Sequence, residues 1–261
     1  MRMSKFERGA WSMGKFVWAG ALSIFVACLA SPPAEPADQA AEVKALLAGA
    51  TSAMPADLSG RDLAGLDLAG VDFKAANLRG AVLKGANLEG ANLSNTVLDL
   101  AILRGSKLHG ANLAGCSAFS TIFADADLSG ADLSGARLVA NFQGANLTGT
   151  NLLNAVMAAD MRNQPMGLMR VVLVKTVLRG ANLAGADLSH GLIEFADLSG
   201  ANLSGASLRF ADAAGANFSG ADLHGADFQE ADVSGARFSR TGIEQAVNFD
   251  KARNRDALRL E

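Results

Sequence analysis

Carboxylates carry the most obvious chemical potential in this chain, and they return at a fixed beat: Asp57, Asp62, Asp67 and Asp72, then Asp127 and Asp132, then Asp222, Asp227 and Asp232. Two carboxylates facing one cleft can run general acid–base chemistry. Each of these, however, stands directly before a Leu, Phe or Val in the same local pattern, which reads as a solvated row rather than a catalytic pair. The histidines His109, His190 and His224 lie far apart and form neither a Ser/His/Asp set nor a cluster with metal-ligand spacing. No catalytic residue, cofactor or resident metal is expected. Met157, Met161, Met166 and Met169 offer soft sulfur of the kind that holds Cu(I), but without His or Cys nearby. Around Arg162-Asn-Gln-Pro165 the same methionines make an adaptable apolar stretch, so Met161, Arg162, Pro165, Met166 and Met169 are candidate partner-binding residues. Cys28 closes the run Phe25-Val-Ala-Cys28, which resembles a bacterial lipobox with Phe where Leu is usual; its candidate role is lipidation. The other reading is an ordinary signal cut near Ala30. Cys116 falls among small residues whose role is packing, and one Cys beyond the leader cannot close an internal disulfide.

The elements that would hold these residues follow from a period of five. Ala126-Asp-Leu-Ser-Gly-Ala-Asp-Leu-Ser-Gly135 shows the unit: small, Asp or Asn, apolar, polar, Gly. Five matches neither the 3.6-residue helix nor the alternating strand, so it demands a solenoid. Apolar centres run from Leu58 to Leu138 with one weak beat at Ala118, and again from Leu178 to Ile243. The centre and the small residue two places before it point inward, which leaves the Asp or Asn between them in water. Asn at that slot can ladder from coil to coil.

This pattern resembles the pentapeptide-repeat family, with its A-(D/N)-L-x-x signature, over residues 56–243. The resemblance implies an all-β fold, a right-handed quadrilateral β-helix with four units and 20 residues per coil. Stacked coils would then bury one another's leucines, each worth about 1.5–3 kcal/mol against exposure. It also implies a protein that binds rather than catalyses. Some members resemble duplex DNA in shape and negative charge and occupy DNA gyrase.

The register slips once. Phe142 follows Leu138 by four residues, Leu147, Leu152 and Met157 keep that phase, and Leu178 returns to the phase of Leu138. Residues 158–175 between them read as an irregular insertion, either a degenerate coil or a projecting loop. Counting strictly by 20 places Asp67, Asp127, Asp187 and Asp227 on one face and Asp72, Asp132, Asp212 and Asp232 on the next. Lys84 and Arg104 fall on a third face, with Arg79 and Arg179 beside them. Residues 31–55 form a Pro-rich linker and a short helix, Gln39–Ala48, N-capped by Asp38, with Val43, Leu46 and Leu47 covering the first coil. Residues 244–261 form a C-terminal cap with a helix around Asp250–Leu260.

Residues 1–30 carry Arg2, Lys5, Arg8 and Lys15 against Glu7, then an apolar run from Phe16 to Ala30. A basic start, a short apolar stretch and a small-residue exit have the form of a secretory signal or lipoprotein leader. The rest of the chain is mildly acidic, which argues against a nucleic-acid binder. The function expected is therefore an exported, non-enzymatic scaffold in the bacterial periplasm or envelope with a protein partner. Membrane association through the N-terminus and homodimerisation stay open. The alternatives are a gyrase-binding DNA mimic, if the leader is not used, and a Cu(I)-binding Met loop.

Overall fold

The computed structural model describes residues 36–50, 54–159 and 169–261. From Ala56 onward the chain winds so that the residue before each apolar centre bridges, in parallel, to its counterpart one circuit later: Asp57 to Asn77, Asp62 to Val82, Asp67 to Asn87, Asp72 to Asn92. Four such rows per circuit define a four-sided β-solenoid. Each bridge is closed from both sides, as where the Leu58 N–H donates to the Asn77 carbonyl at 2.8 Å and the Asn77 N–H to the Ala56 carbonyl at 2.9 Å.

Side-chain size explains the corners. A turn bond such as Arg61 N–H to Leu58 C=O closes each bend, and its third residue is left-handed whatever its type: Gly60 has φ 66°, His190 φ 62°. The Leu or Phe of each unit fills the axis, and a small residue lets the next side approach; Leu83, Leu128, Leu203, Ala86 and Ala131 are all buried. Where that small residue is Thr, its hydroxyl donates to a carbonyl of the preceding circuit, as Thr121 does to Leu98 at 2.7 Å. Every buried hydroxyl of this kind is thereby satisfied without widening the core.

The outward Asp/Asn row does two jobs. Its Oδ1 accepts the backbone N–H two residues on, as Asn92 accepts from Ser94, and an Asn amide reaches back to the circuit before. Asn92 donates to Asp72, Asn151 to Asp132, Asn182 to Asn151 and Asn202 to Asn182, at 2.8 to 3.3 Å. Asp starts each such ladder, because a carboxylate can only accept.

The slip in register has a different outcome from strict counting. One circuit holds 19 residues, since the corner at Val139–Ala140 is short, and the next holds 31. The 21 residues between Met157 and Leu178 are thus two regular units plus eleven extra residues. The irregular stretch is narrower than 158–175: Ala159 still donates to the Ser189 carbonyl, and Val171–Lys175 is a regular unit with Val171 and Leu173 buried. Two circuits of 50 residues in total leave the chain half a turn behind the 20-residue count. Asp67 and Asp127 therefore share a side with Asp197, while Asp187 and Asp227 lie on the opposite side with Asp57. Asp212 and Asp232 share the side of Asp62, not that of Asp72 and Asp132, and Arg179 lies apart from Arg79. The segregation into acidic and basic faces is not found.

At the N-terminal end, α1 spans Pro36–Ala48. Proline suits the first helical position, so Asp38 lies within the first turn rather than before it. Ala40 and Val43 are buried in the rod's hydrophobic cluster and Leu47 packs against it, but Leu46 is 42% exposed. At the other end the pairing runs on past residue 243. Strands β1 (Asn217–Phe218), β2 (Arg237–Phe238) and β3 (Arg259–Leu260) pair in parallel, and α2 (Arg240–Gln245), capped by Ser239, replaces one side. Residues 250–260 form two 3-10 turns and β3 instead of a helix, because Asn248 and Asn254 are left-handed and break the run.

Candidate interaction face

One side replaces Asp and Asn with apolar residues over several circuits. Its outward row reads Asp62, Val82, Ile102, Ile122, Asn141, Val172, Leu192, Asp212, Asp232 in consecutive circuits. From Val82 to Leu192 every member but Asn141 is apolar and partly exposed. β-branched residues suit a bridging position, yet the fold does not need them here, since the opposite side, from Asp72 to Asp222, holds only Asp and Asn at the same slot. Five steps of about 4.8 Å make this stripe roughly 24 Å long.

The neighbouring row and corners carry the charge. Lys84 and Arg104 stand beside Val82 and Ile102, and Glu194 stands beside Leu192. At the corner, Asp125 is one circuit before Gly144 and Lys175 one after it, and Arg104 pairs with Asp125 at 3.4 Å across an exposed surface. Phe195, 63% exposed, lies at the same corner; Leu100 and Phe210, 49% and 42% exposed, lie on the other edge. His190 stacks on Phe210 with centroids 4.8 Å apart. Two buried oxygens in this region have no partner, Ser120 Oγ and Glu194 Oε2. A shallow hollow of about 160 Å³ lies between Ile122, Asn141, Val172, Met169 and Arg170, with Ser120 at its margin.

Of the residues singled out for partner binding, Met169 lines this hollow, partly buried. Met161, Arg162, Pro165 and Met166 lie outside the described residues, as do Cys28 and the leader. Met157 is buried in the axis and so belongs to the core, not to a soft-sulfur site. The histidines stay apart: His109 hydrogen-bonds Ser129, and His190 meets Phe210. Among the described residues no three His, Cys, Asp or Glu come together in a way that could hold a metal ion. Burial, with the charge of Asp99, pushes the Cys116 thiol up to about 12, so it stays protonated and inert. No helix among the described residues is long and apolar enough to cross a membrane.

Several row carboxylates are tuned by the ladder. Burial pushes Asp127, Asp197, Asp227 and Asp232 up, but hydrogen bonds outweigh it: from Ser129 to Asp127, Ser199 and Arg179 to Asp197, Asn248, Gln229 and Arg209 to Asp227, and Asn254 and Ser234 to Asp232. All four end below the usual carboxylate range. A folded value below the unfolded one stabilises the fold above that range, and the gain is lost as pH falls through the depressed values. Thermal unfolding followed by circular dichroism should thus show a level midpoint from neutrality to about pH 4 and a decline below it. A midpoint unchanged down to the most acid buffers would rule the ladder out as a source of stability.

Fold and surface together define a parallel β-solenoid of five-residue units that displays flat sides. The pentapeptide-repeat model matches in eight copies, at residues 56–90, 81–117, 120–139, 140–159, 168–205 and 201–240. The chain belongs to the pentapeptide-repeat family. Among solved structures it is similar to QnrB1, a plasmid-mediated fluoroquinolone resistance protein, at 19% identity over 77% of this chain and 93% of that one, with a TM-score of 0.64. It is also similar to HetL from the cyanobacterium Nostoc sp. strain PCC 7120, which is involved in heterocyst differentiation regulation. There the identity is 29% over 84% of this chain and 92% of HetL, with a TM-score of 0.41. No curated protein matches the sequence.

Sequence reasoning found the rod and missed the stripe. Val82, Ile102 and Ile122 stand 20 residues apart where Asp or Asn is the rule, which is a legible signal.

Proposed function

We propose that this chain is a non-enzymatic rod, exported through its basic and apolar leader, that engages a protein partner through the Val82–Leu192 side. The observation that carries the reading is the unbroken outward row of Val82, Ile102 and Ile122, resumed by Val172 and Leu192, on a flat surface bordered by charge. Exposed apolar patches rimmed by polar residues mark interaction sites. The first helix, with Ala40 and Val43 buried, acts as a cap on the first circuit, and right-handed quadrilateral winding is the geometry the family resemblance implies. Binding to gyrase as a DNA mimic is the weaker reading, because Arg79, Arg137 and Arg209 interleave with Asp57, Asp187 and Asp227 on one side instead of leaving an acidic track.

A photo-crosslinking amino acid placed singly at Ile122, Thr148, Ala114 or Ser189, one on each side, tests the reading in cells. Adducts with protein are expected from Ile122 and not from Thr148 or Ala114. Absence of any protein adduct from all four positions contradicts it. Mass spectrometry of the same material tests export: a cleaved chain lacks Trp11 and Trp18, and lipidation adds a diacylglycerol at Cys28.

A further inference from the structure

The charges on the apolar side are arranged with a symmetry that the fold does not need. Counted outward from the circuit of Asn141 and Gln143, residues one and two steps away in opposite directions are complementary. One step out, Ile122 has Val172 as its counterpart, and Asp125 has Lys175 in the same corner row. Two steps out, Ile102 is matched by Leu192, and Arg104 by Glu194 in the same outer row. Three steps out the match ends: Val82 has Asp212 as its counterpart, and Lys84 has Ala214.

Shape follows the same rule. Phe195, exposed at one corner, has Gly105 as its counterpart, and Phe210 on the other edge has Gly80; the space above both glycines is open. Each protruding ring is thus matched by a position without a side chain.

We infer that a second copy of this chain docks on this side, antiparallel, about a two-fold axis that passes through Asn141 and Gln143. An isologous interface requires a self-complementary surface, in which residue i meets j and j meets i. An axis lying across the rod brings each row onto itself in reverse, so the pairs above become contacts between copies. The apolar row supplies the dry centre, and Arg104–Glu194 and Asp125–Lys175 pair across it. Glu194, partly exposed beside Leu192, faces the Arg104 guanidinium of the other copy. Four steps out Asp62 would face Asp232, so the interface stops short of both ends of the rod. This inference rests on the reading of the Val82–Leu192 side as the binding surface, and names its occupant.

Residues on the axis meet their own copies, which gives a direct test. In the full chain with Cys28→Ser, Gln143→Cys should oxidise to a covalent dimer, whereas Ala114→Cys on the opposite side should not; Cys116 is buried and silent. By sedimentation equilibrium Arg104→Glu and Glu194→Arg should each weaken the dimer by about tenfold or more, and the double swap should restore most of the loss. Circular dichroism of each variant establishes that it is folded, and Gln143→Cys perturbs only an exposed side chain. A chain that stays monomeric at its highest soluble concentration overturns the inference. So does a Gln143→Cys that crosslinks no faster than Ala114→Cys, or swaps that do not rescue one another. If Ile122 crosslinks to a different protein and never to a second copy, the dimer is wrong while the binding rod survives.

Discussion

Phe238→Ala should be the most damaging single truncation near the C-terminal end, lowering stability by about 3–5 kcal/mol. Phe238 is fully buried, stacks on Phe218 at 4.7 Å, and meets Phe228 and Phe249 edge-on at 5.7 and 5.2 Å. Phe249 comes from the first 3-10 turn and closes the axis, so these rings take the place of the next coil's leucines. Removing the middle ring leaves a cavity that neighbours held by backbone bridges cannot collapse to fill. Because a solenoid is stabilised by nearest neighbours, the loss should fall on the last circuits first. Hydrogen exchange should therefore show residues 217–260 opening while the 80–150 region stays protected. Uniform loss of protection along the rod would mean that it unfolds as one block, against this account.

Gly215→Val should cost more than a Gly→Val change at a corner where the Cβ would meet open space. Gly215 has φ 67°, a conformation that costs an L-residue roughly 1–2 kcal/mol and a β-branched one more. A Cβ there would also come within 2.6 Å of the Phe195 ring, which lies over it from the preceding circuit. Gly200 has a similar φ of 64° and nothing within 4 Å. The difference between Gly215→Val and Gly200→Val in a chemical denaturation series isolates the ring's share, and Phe195→Ala should abolish that difference. Equal costs at the two glycines would show that the Phe195 ring does not occupy that place.

The interior was legible in the sequence because size alone decides it. Leu83, Leu128 and Leu203 must be buried if five-residue units wind, and they are. The Asn ladder was legible for a similar reason, since an amide both donates and accepts while Asp only accepts. What sequence could not supply was the partner of each residue across the two irregular circuits. A short corner at Val139–Ala140 and a 31-residue circuit after it together rotate everything downstream by half a turn, and the bridges from Asn141 to Val172 and from Asn151 to Asn182 reveal it. Until that rotation is known, Val172 and Leu192 cannot be joined to Val82, Ile102 and Ile122, and Glu194 cannot be set against Arg104. The C-terminal turns were hidden for a local reason: Asn248 and Asn254 take left-handed conformations that composition does not announce.

The alignment of sides across the two irregular circuits is the claim from which the apolar stripe and its symmetric charges both follow. Spin labels at Ala114→Cys and Ser204→Cys, with Cys28→Ser and dilution by unlabelled chain, measure it by pulsed electron–electron resonance. The rows place these positions on one side, four circuits apart, so a narrow distribution near about 19 Å is expected. A distance of roughly 30 Å, as for labels on opposite sides of the rod, would contradict it.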